Sequence, residues 1–378
     1  MKRILLLALS ILPLMAACDK DKPEEEEKVS IKLDVTNLTD DGYFDGLLYY
    51  KVTSNSPCEV SVNKVEKTAT MVEIPSRIEI NGNIYSCTSI EDDAFYECGK
   101  LSSIVIPNTI RSIGARSFYR CLLLNKITIS EGITSIGNSA FYGCSGLTTI
   151  TFPEGITSIG EYAFCYCSGL TTITIPKSIM SIGNSAFYYC SGLTTITILE
   201  GIKSIGERAF YGCSELTSIT IPESVTSIGI YAFDGSLNSI TVKEGNTIYD
   251  SRDNCNAIIE TKTNTLILGN MNTIIPESIT SIGNSAFYGC SGLTSITIPE
   301  SVTSIGFCAF YDCRKLTSVV CKGITPPTCG WKVFTVYNDD YQDYRPYCQS
   351  VTLYVPKGSK KAYQNSEPWN TFKEIIEQ

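Results

Sequence analysis

Short bursts of apolar and polar residues recur along this chain. From Leu147 to Ser168, Leu147, Ile150 and Phe152 read as inward positions, while Thr148, Thr149 and Thr151 are outward or flanking, the pattern of a strand with one buried face. Pro153 ends the strand, because proline cannot donate to a ladder. Ile156 and Ile159 form a second inward pair, Gly160 is expected to let the chain turn, and Ala163, Phe164 and Cys167 are expected on a short helical or 3₁₀ edge. The unit recurs every 23 residues, marked by Phe95, Phe118, Phe141, Phe164, Phe187, Phe210 and Phe233, then Phe287 and Phe310. So short a unit cannot bury its own apolar face, so the coils must stack into a solenoid.

Each coil opens with a Leu-x-x-Ile-x-Ile-like strand, and a period of about 20 to 29 residues is that of leucine-rich arrays. The expected fold is therefore a leucine-rich repeat solenoid with 23-residue coils. It should be mainly parallel β, with short helical or 3₁₀ edges, a β-rich N-terminal cap and an irregular C-terminal cap. Residues 29–88 lack the repeat and form the N-terminal cap, in which Ile78-Glu79-Ile80, Asn81-Gly82-Asn83 and Ile84-Tyr85 predict a hairpin. Coils occupy 89–323. Between Phe233 and Phe287 the spacing is 54 residues, two periods plus eight, and the alternation of Ala257–Glu260 and Thr265–Leu268 predicts a β-hairpin insert within 243–274. Residues 324–378 form the C-terminal cap, with a short helix expected over Lys373–Gln378.

The first residues set the compartment. Lys2 and Arg3 precede an apolar run of eleven residues, Ile4 to Leu14, too short for a membrane span and suited to a secretory signal over 1–17. Leu14-Met15-Ala16-Ala17-Cys18 resembles the lipobox of bacterial lipoproteins, which implies lipid attachment at Cys18. The acidic tether 18–28 resembles the signal that sends some lipoproteins to the outer face of the outer membrane. The membrane would then be met only through the N-terminal lipid. Formal charge is −9, which argues against a nucleic-acid partner. Histidine is absent, which removes Ser-His-Asp and Cys-His catalysis and imidazole metal sites. No enzyme, cofactor or metal is expected.

Units such as Ser291 to Cys313, SGLTSITIPESVTSIGFCAFYDC, are similar to the BspA-like, Treponema-type leucine-rich repeats of bacterial surface proteins. Thr247–Gly269 and Leu353–Tyr363 resemble companion segments of the same group. The resemblance implies a surface-exposed, non-catalytic solenoid that binds host or neighbouring-cell protein or glycan. A structural spacer or subunit of a surface complex is the alternative, and a carbohydrate-active enzyme a remote one.

The candidate binding face is the array Thr149, Thr151, Thr172, Thr174, Thr195, Thr197 and Thr220. The preference of threonine for exposed strands accounts for it more simply, and binding can coexist with that. A candidate aromatic edge comprises Tyr142, Tyr188, Tyr211 and Tyr288, whose apolar bodies and polar tips suit sugars, protein surfaces or simple packing. Eight of the 17 cysteines are periodic and read as buried free thiols. Cys58, Cys87, Cys329 and Cys348 in the caps are expected as disulfide partners in an oxidising space. Glu131, Glu154, Glu200, Glu223, Glu277 and Glu300 form a solvated column without a singular pair. Asp40-Asp41 and Asp339-Asp340 lack the spacing of a calcium loop.

Overall fold

A computed structural model describes residues 31–233, 237–338 and 343–378; Cys18, the signal and the tether lie outside them, as do Asp339 and Asp340. Each regular coil contributes to three sides. On the first side, strands such as Thr149–Thr151, Thr172–Ile175 and Thr195–Ile198 pair in parallel, with Thr149 opposite Thr172 and Thr172 opposite Thr195. On the second, two-residue Ser-Ile strands pair one coil to the next, from Ser112–Ile113 to Ser227–Ile228. The third side is an edge of turns. Phe141 N donates to Ala163 O at 2.7 Å, one coil on, while Tyr142 N donates back to Ser139 O at 3.1 Å. The edge thus holds single 3₁₀-type turns, stitched between coils.

The inward positions fill two columns of layers, one on either side of the insert. Phe95 to Phe233 stack face to face, with centroids 4.9–5.5 Å apart. Complete burial of each ring contributes about 1.5–3 kcal/mol, and each stacked pair adds about 0.5–1.5 kcal/mol. Phe287, Phe310 and Phe334 resume the stack beyond the insert. The periodic cysteines are buried free thiols. They also bond across coils: Cys144 Sγ donates to Phe118 O and Cys167 Sγ to Phe141 O, both at 3.1 Å.

At the N-terminus, Leu48–Asn55 and Cys58–Val65 pair antiparallel, and Cys58–Val65 then lies parallel to Asn83–Ile90. Asn81 and Gly82, both at positive φ, turn Arg77–Ile80 into Asn83–Ile90. At the C-terminus, Trp369 and Tyr363 are buried and bond to Pro327 O and Gly323 O.

Three expectations need correction. Glu374–Glu377 is a strand pairing in parallel with Thr352–Val355; Ile375 and Ile376 are β-branched and fit a ladder better than a helical end. The α-helix of the cap is Lys360–Gln364 instead. The cap cysteines are free thiols. The register sets Cys87 opposite Val60 rather than Cys58, Cys58 Sγ turns to Asn55 O, and Cys348 Sγ meets Thr371 Oγ1 at 2.9 Å.

The third concerns why Gly160 is glycine: the chain does turn there, with Ala163 N donating back to Gly160 O at 3.3 Å, but its φ is not left-handed. A Cβ there would lie 2.8 Å from the carbonyl carbon of Gly137. Gly183 and Gly206 are equally tight against the glycines before them. Glycine is required because successive backbones touch. Gly160→Ala should therefore cost about 1–3 kcal/mol by overpacking. Gly155→Ala, whose Cβ would come no closer than 3.5 Å to its nearest neighbour, should stay within about 0.5 kcal/mol of the parent. Urea titrations of both variants test this; equal losses would refute the contact.

Candidate functional site

Two exposed surfaces and one cleft carry the candidate chemistry. On the threonine side, Thr149, Thr151, Thr172, Thr174, Thr195 and Thr197 are exposed, while Ile150 and Ile173 between them are buried. Thr174 stands opposite Thr197 and Thr128 opposite Thr151, so the hydroxyls form straight columns at strand spacing. The threonines just before the strands serve the scaffold instead: Thr171 Oγ1 bonds to Thr148 O and Thr194 Oγ1 to Thr171 O.

Thr220 is exposed too, but it stands outside this ladder. Its strand, Ser218–Ile221, pairs only with Ser239–Val242 in a separate sheet. The break follows the coil in which exposed Leu199 stands where its neighbours have buried Pro176 and Pro222. Leu199 has the N–H that proline lacks and gives it to Ile175 O at 3.1 Å, prolonging the bonding towards the preceding coil.

On the edge of turns, Tyr142, Tyr188, Tyr211 and Tyr288 are half-buried. Tyr96, Tyr119 and Tyr142 stack at 5.0 and 4.7 Å, and Tyr188 stacks on Tyr211 at 5.6 Å. Between these runs the column is interrupted, because Cys165 occupies the tyrosine position. Tyr166 stands between the severed ends, edge-on to Tyr142 at 5.5 Å and to Tyr188 at 5.8 Å. A depression of about 430 Å³ results, lined by Tyr142, Tyr162, Cys165, Tyr166, Ser185, Tyr188 and Arg208. Tyr162, Tyr166 and Arg208 are not among the sequence candidates. The signal for them was available in Cys165 itself, 23 residues from both Tyr142 and Tyr188.

The insert opens a cleft of about 580 Å³. Ile258–Glu260 and Thr265–Leu268 form an antiparallel pair, and Thr265–Leu268 then joins Ser281–Ile282 in parallel. The Ser-Ile ladder of the first run ends at Ser227–Ile228. One wall of the cleft is Ile228 to Phe233, and the floor includes Thr265, Ser281, Ser304 and Thr328. Ser285 Oγ is buried there without a partner.

The ionisable groups favour packing over chemistry. Burial pushes the Cys121, Cys165 and Cys313 thiols up to about 12, and those of Cys144, Cys167 and Cys190 well above the ordinary range. Thiolates are the nucleophiles and metal ligands, so these sulfurs are inert near neutral pH. Among the described residues, no three His, Cys, Asp or Glu side chains converge as metal ligands. Asp41 is paired with Lys64. In the glutamate column, Glu200 bonds to Lys243 and Glu277 to Lys322, all four being exposed.

This is a leucine-rich repeat solenoid, with repeated outer faces and inert thiols in its core. A family model described as the BspA type leucine-rich repeat region, in six copies, matches residues 88–216, 180–274 and 267–336. The chain belongs to that family. Among solved structures it is similar to a leucine-rich cell surface protein from Faecalibacterium prausnitzii A2-165, with 27% identity and a TM-score of 0.67, over 89% of this chain and 94% of that one. It is similarly close to a leucine-rich repeat protein from Bacteroides ovatus ATCC 8483, with 26% identity and a TM-score of 0.66, over 88% of each chain. The pneumococcal vaccine antigen PcpA shares the fold, at 20% identity and a TM-score of 0.54, over 88% of this chain and 98% of that one. No curated protein matches the chain. Among the described residues, no helix is long and apolar enough to cross a membrane.

The buried thiols make stability depend on alkaline pH. An unfolded thiol titrates near 8.5, whereas Cys121 and Cys313 hold their protons up to about 12 when folded. The folded state therefore binds those protons more tightly. Their contribution is intact below the unfolded value and is lost as pH rises towards the folded one, by up to about 1.4 kcal/mol per pH unit for each thiol. The urea midpoint should stay level from pH 6 to 8 and fall steadily from pH 9 to 10.5. A combined Cys121→Ala and Cys144→Ala variant should fall less steeply, and an identical slope would refute the assignment.

Proposed function

We propose that this chain is a non-catalytic bacterial cell-surface lipoprotein. In this reading it is held to the outer membrane through a lipid on Cys18, and it binds a host or neighbouring-cell protein or glycan through its solenoid. The observation that carries the reading is the threonine ladder, which holds Thr149, Thr172 and Thr195 in one exposed column and Thr151, Thr174 and Thr197 in a second. A flat surface of this kind meets a partner without paying much side-chain entropy, since β-branched residues are stiff. The Faecalibacterium protein, described as a cell surface protein, supports the location. The inert thiols and the missing histidine support a binding role over catalysis.

The test is a screen of the mature chain against matrix proteins and glycans, repeated with Thr172→Lys, Thr174→Lys, Thr195→Lys and Thr197→Lys combined. At least one partner should bind the parent and lose at least about tenfold in affinity with the variant, roughly 1.4 kcal/mol, at an unchanged unfolding midpoint. Partners that bind both proteins equally would remove the threonine face from the reading. A hydrolytic rate abolished by a single substitution would replace binding by catalysis.

A further inference from the structure

We propose that the tyrosine-lined depression beside Cys165 is a binding site for a saccharide unit bearing an acidic group. The sugar ring sits among Tyr142, Tyr162, Tyr166 and Tyr188, and its acid faces Arg208. The proposal rests on the reading of the chain as a binder and names one site and one ligand class for it.

The shape is the first argument. One coil before Cys165 the column holds Tyr142, and one coil after it holds Tyr188. With cysteine at the intervening position, the Tyr166 ring stands between the two and a depression of about 430 Å³ lies among the four tyrosines, within the roughly 300–1,000 Å³ of small-ligand pockets. The walls are the bodies of four tyrosines, with Cys165 and Ser185 also lining the depression. Tyrosines offer apolar faces to the C–H surfaces of a sugar and hydroxyl tips to its oxygens. Tyr162 and Tyr166 are 44% and 43% exposed, unlike the fully buried phenylalanines beside them.

The backbone is the second argument. Every regular coil has two left-handed positions on this edge. In the preceding coil they are filled by Ser139 and Gly143, small residues suited to the turn. The coil of Cys165 fills both with tyrosine, Tyr162 at φ 55° and Tyr166 at φ 59°. A bulky side chain in that region is strained. The strain is held by inter-coil bonds from Tyr162 N to Asn184 O and from Tyr166 N to Tyr188 O. Other coils also carry bulky residues there, such as Arg116, Arg120 and Tyr189, but among the described residues the coil of Cys165 alone places tyrosine at both.

Charge is the third. Arg208 is the one ionic side chain in the lining, since the Cys165 thiol is pushed up to about 12 by burial and is neutral. Its guanidinium lies over the Tyr231 ring, 5.3 Å from the centroid and one coil beyond the lining. One of its nitrogens, Nη1, bonds to Glu207 at 2.5 Å, leaving donors of the guanidinium fork for an acid. Both members of that ion pair are about half exposed, and such pairs are weak enough to yield to a better-placed carboxylate.

The test uses the mature chain with polymer-bound sialyllactose and lactose as matched acidic and neutral probes. Cys165→Tyr restores the residue found one coil to either side and displaces the Tyr166 ring from between Tyr142 and Tyr188, so it remodels the site while leaving the repeat intact. The parent should bind sialyllactose at least tenfold better than lactose. Cys165→Tyr should lose at least tenfold of that binding at an unchanged melting temperature. Arg208→Gln should bring the two probes to near parity. Undiminished binding by Cys165→Tyr would overturn the site, and equal binding of both probes by the parent would overturn the acidic ligand. A parent that binds neither sugar, yet still binds a protein through the threonine face, would refute this site and leave the broader reading standing.

Discussion

Each coil is closed above and below by backbone hydrogen bonds to coils 23 residues away, and the other regularities of the solenoid follow from meeting that register. The coil edge cannot use ordinary strands, because it must reverse direction, so it alternates turns with inter-coil bonds such as Phe141 N to Ala163 O. Bringing backbones that close excludes a Cβ at Gly160, Gly183 and Gly206. It also leaves the Phe carbonyls deep in the core, where a second acceptor lone pair would go unused. The cysteine thiols reach back and use it, as Cys167 does with Phe141 O. Serine could donate the same bond more strongly, but its hydroxyl is costlier to bury than a thiol.

The register also explains where the protein departs from itself. A coil can be lengthened only if the surplus chain finds its own partners, since buried backbone groups cannot be left open. The insert meets this by folding Ile258–Glu260 onto Thr265–Leu268 and handing the second strand back to the Ser-Ile ladder. The apolar core divides there into two clusters, one reaching Ile258 and the other beginning at Cys255. The cleft is the visible remainder of that division.

The repeat made the inward residues legible. Leu147, Ile150, Ile156, Ile159, Phe164 and Cys167 recur with one spacing, and one spacing admits one stack. Features that depend on a neighbouring coil were harder to read. Gly160 looked like a glycine chosen for its turn alone, because its contact with Gly137 is not local. Lys373–Gln378 looked helical because the strand it joins, Thr352–Val355, lies beyond the last clear repeat. The cap cysteines looked paired because compartment suggests oxidation, while the strand register keeps Cys58 from facing Cys87. The outward threonines were legible as a face, but the break between Thr197 and Thr220 appears only once the strands are paired.

A perfect repeat presents the same surface at every coil, so it can bind a repetitive or extended partner along its length but cannot distinguish one coil from another. Any singular recognition has to come from a coil that breaks the pattern without breaking the register. Cys165 satisfies both conditions. Its backbone stays in the ladder, since Gly143 N still donates to Cys165 O at 2.7 Å, and its small side chain leaves room for the Tyr166 ring between Tyr142 and Tyr188. The threonine side shows a comparable local departure, its ladder ending at Thr195–Ile198 while Phe187 and Phe210 remain stacked. In a solenoid of this kind the core stack supplies the stability, so outward positions can vary singly at little cost to the fold. Function is then most economically written as isolated substitutions on otherwise identical coils, and the places to look for it are the columns in which one member differs from its neighbours.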